Sequence, residues 1–257
     1  MSKQQAASSK QRRSEWLEGA DWELFERQYR KPYRITLAFF SWLTDKGVLI
    51  SDQRRQILYI GAGMGANLLH VSRCCPGNTY TGIDLNAECV RRGNKKLISL
   101  NAQGCALVAG DLFDLPENFR DAFDGVFSLA TLSWLPDFEA AAGCFTTLRP
   151  NWIAATSLFY DGPVDVTIQT SDYTRPIGGQ PSIKKFYNVY SLPRVRDFFA
   201  SRGYQDFSSR PFDIDIDLPK PSHGGMGTYT ERLADGRRLQ ISGPVLMSWY
   251  FILARKS

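Results

Sequence analysis

The chain is expected to fold as an α/β protein, with a mostly parallel sheet covered by helices on both faces. Three observations predict this. Short apolar runs of strand character alternate with helix-like segments through the middle of the chain. A glycine-rich turn, Gly61-Ala62-Gly63-Met64-Gly65, follows the first run, Ile57-Leu-Tyr-Ile60, without a break. An acidic residue closes the second run, Tyr80-Thr-Gly-Ile-Asp84. Strands that alternate with helices return to the same edge of a sheet through crossovers, so they pair in parallel. With 257 residues, 43% of them apolar, the chain suits one large domain with an appendage.

Taken in order, residues 1–13 are polar and rich in Lys and Arg without periodicity, so a mobile tail is expected there. From Ser14 the pattern changes: Trp22, Phe25 and Tyr29 recur at helical spacing, beside Trp16, Leu17 and Leu24. Pro32 interrupts this helix, and a second is expected over Tyr33 to Lys46, stopped by Gly47. Residues 14–50 thus form an N-terminal helical unit and 51–257 the α/β domain. Six or seven strand-like runs follow, at 57–60, 79–83, 106–109, 124–129, 152–159, near 206–217 and at 245–254. Helices are expected over 64–75, from the N-cap residue Asn86 to Ala102, from Phe138 to Leu148, and from Ser191-Leu-Pro193 to Gly203. The segment 218–244 holds five glycines and three prolines, with Asp235-Gly236 as a hairpin turn, so an antiparallel final strand reached by a hairpin is expected. Residues 160–190 and 218–244 read as insertions, placed to project from the carboxyl ends of strands, where open α/β sheets bind ligands.

Glycines at 61, 63 and 65 permit a tight turn and leave no side chain between the backbone and a ligand. Asp84, 23 positions after Gly61, is placed to accept hydrogen bonds from ribose hydroxyls. The loop is not the dinucleotide form, because Ala66 stands where G-x-G-x-x-G needs its last glycine, and no lysine follows to make a P-loop. The G-x-G-x-G spacing resembles motif I of the class I S-adenosylmethionine (SAM)-dependent methyltransferases, small-molecule type. Val108-Ala-Gly-Asp111-Leu112 and Phe123-Asp-Gly-Val-Phe-Ser-Leu-Ala-Thr-Leu-Ser-Trp-Leu-Pro136 resemble the family's third strand and its fourth strand with the active-site loop. The likeness covers residues 55–160 well and the rest in outline.

The resemblance implies a Rossmann-like seven-stranded sheet, mostly parallel with an antiparallel last strand, and SAM as cofactor. Gly61, Ala62, Gly63 and Gly65 would border its methionyl part, and Asp84 with Leu85 its ribose. Asp111 would meet the adenine amino group while Leu112 packs on the ring, and Leu129 and Ala130 would close the site from strand four. The N-terminal helices resemble the lid of such enzymes. There Tyr29 would cover the sulfonium, and Arg34 or Arg30 would meet the SAM carboxylate. The alternative is that Tyr29 and Tyr33 fasten the helices to the sheet.

SAM chemistry needs little acid–base machinery when the nucleophile is already good, and no general base stands out. His70 lies in an apolar helix pattern and reads as a satisfied, partly buried residue. Tyr33 and His223 are the catalytic candidates, His223 because it lies in a glycine-rich loop. Trp134, Tyr160, Tyr173 and Tyr187 are the candidates for the acceptor pocket, with an anchoring core role as the alternative for Trp134. The loop Leu129-Ala-Thr-Leu-Ser-Trp134 lacks the Asn/Asp-Pro-Pro-Tyr pattern of amino-methyltransferases acting on bases or glutamine, which favours a small-molecule acceptor in secondary or cell-surface metabolism. One position departs from the family. Tyr59 stands where an Asp or Glu usually precedes the first glycine by two residues. This motivates a second reading in which the aminocarboxypropyl carbon of SAM is attacked. Intramolecular cyclisation to azetidine-2-carboxylate or aminocarboxypropyl transfer would then release methylthioadenosine.

Composition narrows the partners. No apolar run approaches the roughly 20 residues needed to cross a bilayer, and the start has no secretory core, so a cytoplasmic location is expected. The net charge of +5 is spread over Lys10 to Arg13, Arg91-Arg92, Lys95-Lys96, Lys184-Lys185 and Arg237-Arg238 rather than gathered in one stripe, which argues against a nucleic-acid groove. Five cysteines and two histidines show no metal-ligand spacing, so no metal site is expected. A homodimer stays open beside a monomer.

Overall fold

The computed structural model describes residues 22–172, 183–221 and 226–257. The expected tail, Trp16 and Leu17, and the candidates Tyr173 and His223 lie outside the described residues. In chain order the elements are α1 (Trp22–Arg30), α2 (Arg34–Asp45), β1 (Gln56–Ile60), α3 (Ala66–Cys74), β2 (Thr79–Asp84), α4 (Ala87–Ser99), β3 (Cys105–Ala109), β4 (Gly125–Leu129), α5 (Phe138–Thr147), β5 (Trp152–Ser157), β6 (Phe159–Tyr160), β7 (Gln169–Asp172), β8 (Ile183–Phe186), β9 (Tyr190–Ser191), α6 (Leu192–Ala200), β10 (Asp206–Phe212), β11 (Thr228–Arg232), β12 (Arg238–Ser242), β13 (Val245–Leu246) and β14 (Trp249–Arg255).

Seven strands form one sheet in the order β3-β2-β1-β4-β5-β14-β10. β14 runs antiparallel to both of its neighbours, while the other pairings are parallel. This is the Rossmann-like methyltransferase arrangement expected from the sequence. The central strands are covered on both faces, and so they read as unbroken apolar runs: Ile57 to Ile60 and all of β4 are buried. On one face, Phe39, Phe40 and Trp42 of α2 meet Phe127 and Phe251, and α3 and α4 join the same core. On the other, Phe138 of α5 packs against Phe198 and Phe199 of α6 over Val126 and Ile153. Helix starts follow the caps: Asn86 accepts from the Glu88 and Cys89 amides, Asp137 from Ala140 and Ser191 from Arg194.

The direction of α2 matters for the site. The Arg255 guanidinium at the end of β14 donates to the Lys46 carbonyl at 3.1 Å, so α2 ends at the amino edge of the parallel strands. Its start, Tyr33-Arg34, therefore lies at the carboxyl edge, where Arg34 pairs with Asp215 at 2.5 Å.

Two expectations need correction. The Asp235-Gly236 turn does make a hairpin, but it joins β11 to β12 within a separate three-stranded sheet, β11-β12-β13, and does not lead into β14. The strand expected over 206–217 ends at Phe212. Beyond it the backbone leaves the sheet and pairs with the appended one, Leu218 and Thr230 exchanging hydrogen bonds.

Candidate active site

The glycine loop joins β1 to α3 through three left-handed residues, with φ of 75° at Gly61, 53° at Gly63 and 83° at Gly65. It is tied to β2 by the Gly61 and Ala62 amides, both donating to the Ile83 carbonyl at 3.0 Å. Each glycine also makes room for a different neighbour. A Cβ at Gly61 would run into the Thr131 side chain, one at Gly63 would meet Phe25 at 3.0 Å, and one at Gly65 would meet Leu107 at 3.0 Å. The loop is thus wedged between α1, β3 and the turn after β4.

Asp84 ends β2 beside the loop. Its Oδ2 accepts from the Gly63 amide at 2.6 Å and its Oδ1 from the Asn86 amide at 2.9 Å. A carboxylate offers about four lone-pair sites, so each oxygen keeps acceptor capacity for a hydroxyl. Burial pushes the Asp84 carboxyl above the usual carboxylate value, while the two amides hold it down in part. At the end of β3, Asp111 caps the short turn Leu112–Asp114, accepting from the Phe113 amide at 3.0 Å. Leu112 is half-buried and Phe113 is exposed. Leu85 is half-buried beside Asp84.

The fourth side of the site is the turn after β4. Leu129 is buried, and Ala130 takes a left-handed φ of 54°, held there by its amide, which donates to both the Thr156 carbonyl and its Oγ1 at 3.0 Å. The turn then presents Trp134, whose ring meets Tyr187 edge-on at 5.0 Å, and Tyr187 meets Trp249 at 6.4 Å. The Lys185 ammonium lies 5.9 Å from the Trp134 ring centre. Tyr187 is buried, and burial raises its phenol out of the titrating range. Asn188 fastens this wall: its Nδ2 donates to the Leu135 carbonyl at 2.9 Å and its Oδ1 accepts from the Ile168 amide at 3.1 Å.

The N-terminal helices cover the loop. Phe25 lies over Gly63, the Tyr29 hydroxyl donates to the Met64 carbonyl, and His70 Nε2 is 2.9 Å from the Gln28 carbonyl. Lys96 on α4 pairs with Glu26 at 2.7 Å. Tyr29 is buried by these contacts, and His70 is a satisfied buried residue, as the sequence led us to expect. Tyr33 and Arg30 are exposed, and Tyr160 is exposed over Gly162. The structure therefore gathers Gly61, Ala62, Gly63, Gly65, Asp84, Leu85, Asp111, Leu112, Leu129, Ala130 and Trp134 along one sheet edge.

Residues 57–151 match the methyltransferase domain family. By that match this stretch is a methyltransferase domain. Solved structures agree on the fold. YcgJ from Bacillus subtilis superposes with a TM-score of 0.58 at 14% identity, covering 87% of this chain and 99% of that one. The magnesium protoporphyrin IX methyltransferase of Synechocystis PCC 6803, solved with bound S-adenosylhomocysteine (SAH), gives 0.54 at 15% identity, covering 97% and 95%. A SAM-dependent methyltransferase of Aquifex aeolicus gives 0.51 at 13%, covering 93% and 100%. No curated protein matches the chain in sequence. The site's donor set fits SAM, the cofactor that the sequence resemblance implies. The loop turns on three left-handed glycines, and Asp84 beside it keeps acceptor capacity on both carboxylate oxygens.

Several residues of the candidate site escaped sequence reading. Phe25 and Thr131 meet the glycine loop, Asn67 reaches back beneath it, and Trp249 stands behind Tyr187. Trp249 carried a usable signal: the first residue of an antiparallel last strand must fall at the carboxyl edge. Asn67 carried none, because its partner, Tyr59, lies on the far side of the loop.

Among the described residues, no helix is long and apolar enough to cross a membrane.

Proposed function

We propose that this methyltransferase domain moves the SAM methyl group to a small-molecule acceptor with a flat apolar portion. The observation that carries this is the half-buried Trp134 in the turn after β4, backed by the buried Tyr187 and Trp249, with the Lys185 ammonium near its ring. The uncovered part of the Trp134 ring offers an apolar face to a planar or aliphatic body, and an adjoining cation favours an acceptor that carries negative charge. When bound, SAM supplies an electrophilic methyl group on a sulfonium. The residues' part is to orient and to exclude water: the glycine loop and Asp84 fix the cofactor end, and Phe25 and Tyr29 hold α1 over the loop. The aromatic wall fixes the acceptor so that its nucleophile lies in line with the methyl carbon. The proton displaced from the acceptor's nucleophile leaves to solvent, and Tyr33, exposed at the start of α2, is the candidate contact on the lid side.

The test is to incubate the protein with SAM and panels of acidic aromatic and aliphatic metabolites, and to identify the nucleoside product by mass spectrometry. SAH formed only with an acceptor supports methyl transfer. Methylthioadenosine formed without one sinks it and turns the assignment to cyclisation or aminocarboxypropyl transfer.

A further inference from the structure

Tyr59 and Asn67 bracket the glycine loop, one at the end of the strand that enters it and the other in the first turn of the helix that leaves it. Tyr59 is buried, and its ring is stacked on its register partner Phe127 at 4.6 Å and 14°. A ring held that way has no freedom to swing, so its hydroxyl is a fixed point beneath the loop. Asn67 Nδ2 donates to that hydroxyl at 2.9 Å. In this arrangement the hydroxyl is the acceptor. With Nδ2 committed to Tyr59, the carbonyl Oδ1 is turned the other way, and Asn67 is half-buried, so it keeps access to the loop's surroundings. Burial keeps the Tyr59 phenol protonated, so the pair is neutral at every working pH.

We propose that Asn67, oriented by Tyr59, accepts a hydrogen bond from the α-ammonium of SAM through Oδ1, so that a neutral amide does the work for which a carboxylate would be used. Tyr59 is a positioning residue in this scheme; it acts through Asn67. The proposal rests on SAM lying along the glycine loop.

The experiment is titration calorimetry with two ligands, SAH and its analogue in which hydrogen replaces the α-amino group. They are compared on the wild type, Asn67→Ala, Asn67→Asp and Tyr59→Phe, each checked for folding by thermal melting. Loss of an acceptor for a charged donor weakens SAH binding about tenfold in Asn67→Ala, and leaves the des-amino analogue unchanged within about twofold. Asn67→Asp restores SAH affinity, since it returns an acceptor to the same place. Tyr59→Phe frees the amide and costs SAH alone about threefold. Equal losses for both ligands, or no loss for either, overturn the proposal. A wild type that binds neither ligand overturns the SAM placement itself, and the two failures are thereby told apart.

Discussion

Asp84 couples binding to stability. On the proposed placement of SAM, removing its carboxylate in Asp84→Ala takes away two acceptors for ribose hydroxyls, each charge-assisted bond contributing about 1.5–3 kcal/mol. SAH affinity is therefore expected to fall on the order of 100-fold by calorimetry. The same residue carries a pH signature. Burial raises its pKa in the folded chain above the unfolded value of about 3.9, so the folded chain holds that proton more tightly. The stability this contributes is complete below about pH 3.9 and is lost as pH rises through the raised value. In Asp84→Asn the group no longer titrates. Urea unfolding of both proteins from about pH 4 to 7 should therefore show the variant gaining on the wild type as pH rises. Gln240 on β12 offers a second test. Its Oε1 and Nε2 are both buried without a partner among the described residues. Replacing it with methionine keeps the length and removes both groups, each of which costs about 1–3 kcal/mol unpaired. Gln240→Met should raise the melting temperature by a few degrees, at about 2–4 °C per kcal/mol for a domain of this size.

At the scale of elements, α1 depends on a few polar ties to the loop and to α3. Tyr29→Phe removes the bond to the Met64 carbonyl, which is worth about 1 kcal/mol. Hydrogen exchange in α1 should then accelerate about fivefold while β1, β4 and β14 stay protected, and SAH should slow α1 again in the wild type. Uniform exchange across the chain would show that α1 does not open on its own. How much of this was legible in the sequence depends on the separation of the partners. The loop, the Asp84 strand end and the Asn86 cap are local patterns, and each was readable from neighbouring residues. Phe25 over Gly63 and the meeting of Trp134, Tyr187 and Trp249 join segments far apart in the chain, so no spacing rule reveals them. The Asp235-Gly236 turn shows the limit well. Its residues dictate a hairpin, but the identity of the strands it joins is set by the sheet, and those turned out to be β11 and β12.

For the whole molecule, ligand binding and folding share one free energy. SAH at about 100 times its dissociation constant should stabilise the chain by about 2.7 kcal/mol, which moves the melting temperature by roughly 5–10 °C. A dinucleotide such as NAD should leave it unchanged, because Ala66 closes the loop to that fingerprint. Differential scanning fluorimetry reads both, and a larger shift with NAD would overturn the cofactor assignment. A last consequence comes from the pairing of β10 with β14. Phe212 and Trp249 are register partners, so the segment between them leaves the sheet and returns to it at neighbouring positions. Such a segment is a cassette: its ends are already closed together, and loop-closure entropy grows only slowly with its length. Exchanging residues 213–248 between relatives would alter what packs against Tyr187, which Gly243 approaches closely, while leaving the glycine loop, Asp84 and Asp111 as they are. On the proposed function, acceptor preference would in this way diverge by recombination, with the cofactor half inherited intact.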